Sequence, residues 1–246
     1  MIAVRRRVLL SLVVLTLVSA CSSVLPWGQP TPRTYGTVAE LAKALRTQQL
    51  DDATVLFGGK SGESPGSDVL NFSGGMNVTS AGTDMSIDMK DKRGSTLSVV
   101  IIDQDVFIRD PTGAWQRSPL RERLTDLVIE PIGLPVFGNL WLTQLDGSAD
   151  AFSLSGSSTV LGSENTEYRL HADFREAADL ALRHIGAPAP SNTGQTRLDL
   201  DLTLTLDPYD RLVAAHWTVS SDRETWTTDY TFTDWGSPVD ITAPAA

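Results

Sequence analysis

The sequence predicts an α+β fold in which a strongly curved antiparallel β half-barrel carries helices packed on its concave face. Segments in which apolar and polar residues alternate recur along most of the chain, and short runs of Gly, Asp, Asn and Pro separate them. A few other segments have apolar residues at helical spacing. Because long paired strands twist and coil, a sheet of roughly eight such strands with helices on one face will curve into an open barrel.

The predicted strands form two groups, one in each half of the chain. The first group comprises residues 54–57, 69–78, 84–89, 96–102 and 105–108, and we interpret Gly58-Gly59, 91–94 and 110–113 as turns between them. The second group comprises residues 152–161, 167–174, 198–206, 212–219 and 225–233, with a turn at 207–210. In residues 198–206, leucine at every second position alternates with Asp or Thr, which indicates a strand with one face in water.

Four helices are predicted from apolar stripes and capping residues. The first begins at Thr37, with Glu40 completing a capping box, and its stripe is Val38, Leu41, Ala42 and Leu45. The second begins at Ser118-Pro119, and its apolar face is Leu120, Leu124, Leu127 and Val128. The third spans 135–145, with Val136, Phe137, Leu140, Trp141 and Leu145 on one face. The fourth follows Asp173 and carries Phe174, Ala178, Ala181, Leu182 and Ile185.

The N-terminus has the pattern of an exported lipoprotein. Three arginines at positions 5–7 precede an apolar run over 8–18, which is too short to span a bilayer and predicts a signal peptide over residues 1–20. The run ends in Val18-Ser19-Ala20-Cys21, which resembles a lipobox, where the cysteine thiol receives a diacylglyceryl group before cleavage. Cys21 is the only cysteine, so we expect it to be the lipid attachment residue and expect no disulfide. An ordinary signal peptide followed by a chance cysteine is the alternative.

Composition divides the remaining chain into a tether and one domain. Residues 21–36 are rich in Ser, Pro, Gly and Thr and are expected to form the lipidated, flexible tether, and residues 37–244 are expected to form a single domain, the half-barrel. The formal net charge of −10 becomes more negative when the three arginines are removed, which argues against nucleic acid as a partner. The expected location is the outer, periplasmic face of the cell membrane, held by acyl chains.

Several segments together resemble the actinobacterial and mycobacterial LppX/LprG-type lipoproteins. The resemblance rests on residues 105–115, 132–134, 166–170, the strand that ends at Asp207, and above all residues 230–241, with the lipobox before them. It implies a U-shaped, LolA/LppX-like half-barrel with a shielded apolar cavity, which takes the acyl chains of a lipid or glycolipid and moves or presents it across the envelope. It implies no catalytic residue, metal or cofactor other than the bound lipid.

The residues expected to line the cavity are apolar and come from the first strand group and the central helices. They are Met76, Val78, Met85, Ile87, Met89, Leu97, Val99, Ile101, Val106, Ile108, Leu124, Leu127, Val128, Phe137, Leu140 and Trp141. Methionine is flexible and adapts to irregular partners such as acyl chains, yet a plain hydrophobic core explains the same pattern. Phe137 and Trp141 are open to both interpretations.

Catalytic patterns are weak in this chain, and we expect it not to be an enzyme. No Gly-x-Ser-x-Gly, His-Glu-x-x-His or nucleotide-binding motif occurs. His171 and Asp173 share a strand face and would begin a metal site, but a solvated face is the simpler interpretation. Asp199 and Asp201 would offer a glycosidase carboxylate pair, and their alternation with leucines favours a wet face instead. His184 fits a cation at a helix C-terminus.

Three functions of different classes follow. The first is a membrane-anchored lipid carrier, with a lipid or glycolipid as ligand and a transporter or acceptor protein of the envelope as a further partner. The second is a non-carrier envelope lipoprotein that binds or scaffolds another protein through its acidic surface and edge strands. The third is a hydrolase, which would need a cleft with convergent histidine and carboxylate groups.

Overall fold

The computed structural model describes residues 32–64, 69–79, 82–103, 105–109, 113–119, 149–160, 163–174, 198–220 and 224–245. The predicted signal peptide, Cys21, and most of the three later helices fall outside these ranges. Those predictions are therefore not tested by the fold. Among the described residues no helix has the length and apolar character needed to cross a membrane.

One antiparallel sheet of eleven strands makes up most of the described structure. The order of the strands across the sheet is β6-β5-β4-β3-β2-β1-β11-β10-β9-β8-β7. The strands are β1 (Thr54–Ser64), β2 (Leu70–Val78), β3 (Thr83–Lys90), β4 (Thr96–Ile102), β5 (Asp105–Arg109), β6 (Gln116–Pro119), β7 (Ala149–Val160), β8 (Ser163–Asp173), β9 (Asp199–Leu206), β10 (Leu212–Ser220) and β11 (Thr225–Thr233).

Two meanders meet in the middle of this sheet. The chain runs outward from β1 to the edge strand β6, resumes at the opposite edge with β7, and returns to β11, which pairs with β1. The described strands β6 and β7 do not pair with each other, so the sheet is not closed. The predicted single antiparallel sheet is confirmed and has more strands than the sequence indicated. An open, twisted sheet of this width is consistent with a curved half-barrel.

Helix α1 (Val38–Asp52) lies at one end of the sheet and packs into its apolar core. Thr37 Oγ1 accepts a hydrogen bond from the Glu40 backbone N–H at 3.2 Å, as the predicted cap requires, although the Glu40 carboxylate accepts from the Gly36 N–H. The predicted stripe is buried. Among the described residues α1 is the one complete helix, and Phe174 after β8 is helical as well. The packing of further helices on the concave face stays a prediction.

The predicted turn at Gly58-Gly59 is wrong, because β1 continues through both glycines to Ser64. A Cβ atom at Gly59 would overlap the Asp229 carbonyl oxygen and would lie 2.5 Å from Cζ of Phe72. Glycine here allows close approach of a neighbouring backbone and ring within a continuous strand, which is a recognised use of glycine in sheets.

Two further boundaries differ from the predictions. Ser118 and Pro119, expected to start a helix, end strand β6, where they pair with β5. Proline is tolerated there because β6 is an edge strand. The domain also begins before Thr37: Tyr35 N–H donates to the Tyr168 hydroxyl at 3.1 Å, and Arg33 forms an ion pair with Asp210 at 3.0 Å. The last residues assigned to the tether therefore belong to the fold.

Candidate functional site

The strand pleat divides the sheet into an apolar face and a polar face. Residues of alternate parity point to opposite sides, and antiparallel pairing keeps the same parity on one side across all strands. The buried side chains on one side form a single hydrophobic cluster that extends from Val106 on β5 to Tyr168 on β8. The other side carries mostly Asp, Lys, Arg, His, Ser and Thr, with Val100 and Phe107 as buried apolar residues on β4 and β5. We call these the apolar face and the polar face.

All ten described residues of the predicted cavity lie on the apolar face. Met76, Met85, Ile101 and Val106 pair across four neighbouring strands and form one row. The next rows contain Ile87, Val99 and Ile108, then Met89 and Leu97, and Val78 ends β2. All are buried except Leu97 and Ile108, which are partly buried against the same cluster. Leu124, Leu127, Val128, Phe137, Leu140 and Trp141 lie outside the described residues.

An aromatic group at the centre of the apolar face was not predicted as part of the site. Its rings are Phe57, Phe72, Tyr230 and Phe232, all buried, and the Phe72 and Tyr230 centroids lie 4.9 Å apart. Phe72 covers Gly59 and Phe57 covers Gly74, since a Cβ atom at either glycine would meet the covering ring. Glycine inside an alternating strand was the sequence signal for this arrangement, because it marks a place where a neighbouring group comes close.

The far half of the apolar face comes from β8, β9 and β10. Leu200, Leu202 and Leu204 of β9 are buried, which confirms the side predicted for the alternating leucines. Trp217 on β10 pairs with Leu202 in register and lies 6.1 Å, centroid to centroid, from Phe174. These strands extend the apolar face well beyond the cavity residues predicted from the sequence.

Helix α1 is too small to cover the apolar face. The ten spacings between eleven strands, at about 4.8 Å each, and a strand length of about 26 Å give a face of roughly 1,250 Å². A helix of 15 residues is about 22 Å long and about 10 Å wide, which covers roughly 220 Å². About four fifths of the face therefore has to be covered by something other than α1.

Three hydroxyl groups interrupt the apolar face close to the aromatic group. Ser61 Oγ and Thr228 Oγ1 lie 2.8 Å apart and hydrogen-bond each other, and both residues are buried. Tyr230 follows Thr228 on the same side of β11, and its buried hydroxyl has no hydrogen-bond partner in the described part of the chain. Burial raises the pKa of Tyr230 well above its usual value, so the hydroxyl is neutral and keeps its proton.

His171, which the sequence suggested as the start of a metal site, lies on the polar face. His171 Nδ1 lies 2.9 Å from Asp201 Oδ1, and its Nε2 lies 3.9 Å from Asp199 and 4.0 Å from Asp150. His171 and Asp201 line a shallow depression of about 110 Å³ together with Arg169. In the described residues, no group of three or more His, Cys, Asp or Glu side chains is arranged to hold a metal ion.

A second histidine lies in an arrangement that superficially resembles a catalytic triad. His216 Nδ1 is 2.6 Å from Asp229 Oδ1, and its Nε2 is 3.4 Å from Thr218 Oγ1. Both partners sit on open sheet surface, and β10 pairs with β9 on one side and β11 on the other. Because those ladders use the backbone N–H groups around Thr218, no pair of donors is left there for an oxyanion. The contacts fit cross-strand polar pairs.

The chain was compared with family models, curated proteins and solved structures. No family model and no curated protein matches the chain. Among solved structures, LprF from Mycobacterium bovis is 13% identical with a TM-score of 0.49 and coverage of 89% of this chain and 100% of that chain. The lipoprotein LppX from Mycobacterium tuberculosis is 14% identical with a TM-score of 0.49 and coverage of 83% and 99%. A DUF1329 family protein from Desulfovibrio piger is 16% identical with a TM-score of 0.32 and coverage of 81% and 92%. The chain is thus similar to LprF and LppX over most of its length, at low sequence identity.

Proposed function

We propose that this chain is a lipoprotein of the cell envelope that binds a lipid or glycolipid through its acyl chains and carries or presents it across the envelope. The observation that carries the proposal is the apolar face, which crosses from β5 to β8 and of which α1 covers about one fifth. Its side chains are buried without any ligand, so acyl chains would have to enter between the face and the segments that cover it, which we propose are the predicted helices within 120–145 and 174–185.

The size and composition of this face suit acyl chains. Strands of about 26 Å exceed the length of a lipid tail in one leaflet, which is about 15 Å, half of the hydrocarbon thickness of a bilayer. Met76, Met85 and Met89 lie together on neighbouring strands, and their flexible thioethers fit chains of varied shape. The interaction is non-directional, so burial of methylene groups supplies the affinity at about 0.8 kcal/mol each.

The anchor would hold the domain near the membrane from which lipid is taken. We propose that Cys21 bears the acyl chains and that the protein lies on the outer face of the cell membrane. The first described contacts to the domain are made by Arg33 and Tyr35. The twelve residue-to-residue steps from Cys21 to Arg33 extend to about 40 Å at most, so the domain stays within about that distance of the anchor.

We further propose that binding, and not catalysis, is the activity. His171 and His216 lie on the polar face, opposite the aromatic group and the methionines. No cofactor is needed to hold an acyl chain. A transporter or acceptor protein of the envelope would be the partner that receives the lipid.

Mass spectrometry of the mature protein, purified from its own bacterium, tests the proposal. Covalent acyl groups on Cys21 remain in a denaturing spectrum, whereas a bound ligand appears in the native spectrum alone and is recovered by solvent extraction. We expect a lipid at near one equivalent. Leu97→Trp, on the apolar face, should lower its recovery, whereas Thr96→Trp, on the neighbouring polar-face position, should not. Absence of any extractable lipid would refute the proposal.

A protein-binding role is the second candidate, and the edge strand β7 favours it. This strand has 12 residues, and in the described sheet one of its sides is unpaired. An unpaired edge accepts a strand from another protein. Stable co-purification of a protein with lipid-free material would support this function in place of lipid carriage.

A further inference from the structure

The hydroxyl of Tyr230 is an unpaired polar group at the centre of an otherwise apolar face. The ring is held by Phe72 at 4.9 Å and by Phe232, stacked at 6.0 Å between centroids. Its register partners are Gly59 on β1 and Ala215 on β10, both small. A buried hydroxyl without a partner lowers stability, and native proteins rarely keep one unless something else satisfies it.

Tyr168 is a buried tyrosine of the same face whose hydroxyl has both a donor and an acceptor. It is buried on the apolar face in the same register row as Leu204 and Ala215. Its hydroxyl accepts from the Tyr35 N–H at 3.1 Å and donates to the Arg33 carbonyl at 3.2 Å. The hydroxyl of Tyr230 has no comparable bonds within the described residues.

Ser61 and Thr228 extend the polar spot around Tyr230. Thr228 and Tyr230 are two residues apart on β11 and so lie about 7 Å apart on the same face. The Ser61–Thr228 hydrogen bond uses one hydroxyl proton, so the other hydroxyl retains a proton to donate. We call Ser61, Thr228 and Tyr230 the hydroxyl patch. It offers two hydrogen-bond donors. A hydrocarbon chain has no acceptor atom for them, so a ligand that pairs with both must carry polar acceptors.

We propose that the hydroxyl patch binds the ester carbonyl oxygens of a diacylglycerol-type lipid, so that the glycerol linkage lies at the centre of the apolar face. The inference rests on the lipid-binding function proposed above and specifies its ligand class. An ester carbonyl oxygen accepts a hydrogen bond and donates none, so the two carbonyls of a diacylglycerol match the two donors of the hydroxyl patch. The acyl tails would extend from the patch along the methionine rows and the β9 leucines. An ether-linked lipid of equal length lacks these carbonyl groups and would lose both hydrogen bonds.

A matched pair of lipids tests the assignment. Dipalmitoylglycerol and its ether analogue dihexadecylglycerol are titrated into the full mature protein in detergent, and bound lipid is quantified by native mass spectrometry. We expect the diester to bind about tenfold more tightly, the combined effect of two neutral buried hydrogen bonds on an equilibrium constant. Tyr230→Phe removes one of the two donors and should reduce this ratio to about threefold, without weakening ether binding, and Thr228→Val should reduce it in part.

Controls separate the two proposals. Tyr209→Phe alters an exposed tyrosine of the β9–β10 turn and should leave the ratio at its wild-type value. Tyr230→Phe retains the ring and removes an unpaired hydroxyl, so it should unfold at or above the wild-type temperature. Equal affinity for the two lipids in the wild type, or an unchanged ratio in Tyr230→Phe, overturns the hydroxyl-patch assignment and leaves lipid binding intact. Binding of neither lipid overturns both.

Discussion

Replacing Gly59 by alanine tests how closely β1, β11 and Phe72 are packed at the centre of the sheet. The added Cβ atom would overlap the Asp229 carbonyl oxygen on β11 and lie 2.5 Å from Cζ of Phe72. The ring can turn aside, but the carbonyl belongs to a strand that pairs with β1 on one side and β10 on the other. Relief of the overlap therefore requires movement of a paired backbone.

The cost can be estimated from overpacking in other cores. Extra methyl groups in well-packed interiors cost about 1–3 kcal/mol, and a backbone overlap belongs at the upper end, so we expect a loss of about 3 kcal/mol. Gly58→Ala is the matched control, because its Cβ atom would meet the Phe72 carbonyl oxygen at 3.3 Å and Ser73 Cβ at 3.9 Å. Alanine in a strand gains about 0.5–1 kcal/mol over glycine, so Gly58→Ala should change stability by less than about 1 kcal/mol.

Urea unfolding of the two variants and the wild type, followed by tryptophan fluorescence, measures both free energies. A loss of about 3 kcal/mol is a large share of the 5–15 kcal/mol typical of domains, yet it leaves the protein folded. Equal midpoints for Gly59→Ala and Gly58→Ala would refute the interpretation of Gly59 as a close-approach glycine within a continuous strand. They would restore the turn that the sequence suggested.

Three other predictions concern polar contacts at the α1 end and the buried tyrosines. The Arg211 guanidinium lowers the pKa of Asp52 below 3.8. This ion pair therefore stabilises the fold above pH 3.8, and the stabilisation is lost as the pH falls through the pKa of Asp52 in the folded protein. Asp52→Asn should lower the free energy of unfolding in urea by about 1 kcal/mol at neutral pH and leave it unchanged in strong acid. Tyr168→Phe removes two hydrogen bonds to the N-terminal segment and should cost about 1–2 kcal/mol, with earlier proteolytic cleavage near Arg33. Burial raises the pKa of Tyr35 to about 12 and also raises the pKa values of Tyr168 and Tyr230. The free energy of unfolding should therefore be unaffected by these groups below pH 10 and fall as the pH rises above it. Tyrosinate absorbance should show these residues ionising together with unfolding.

Alternation in the sequence was sufficient to predict which face of β2, β3 and β9 is buried. It placed Met76, Met85 and Ile101 on one side together with the β9 leucines, because a period of two allows one assignment for each strand. It did not predict strand ends. Gly58 and Gly59 have the composition of a turn, but they lie inside strand β1. Gly59 is needed there because the Asp229 carbonyl oxygen, 170 residues later in the chain, lies where a Cβ atom would be.

Pairing between the two meanders was also beyond the sequence pattern. Neighbouring strands within each meander follow from short turns, whereas β1 and β11 are separated by most of the chain and meet in register from Leu56 with Thr233 to Ser64 with Thr225. Non-local pairing depends on the packing of the whole core and has no local signature. The aromatic group and the hydroxyl patch both lie across this junction, which is why they were missed as candidate site residues.

The position of the hydroxyl patch bears on how a carrier can hold an oily ligand and still release it. Hydrophobic burial is non-directional and would hold a tail at any register along the strands. A pair of hydroxyl donors fixes one point of the ligand. It adds little to the free energy needed to release the ligand, because a neutral hydrogen bond contributes about 0.5–1.5 kcal/mol net. An ionic group at the same place would bind more strongly and would also have to be desolvated in the empty protein. Neutral Tyr230, with its raised pKa, therefore suits repeated loading and unloading better than a charged residue would.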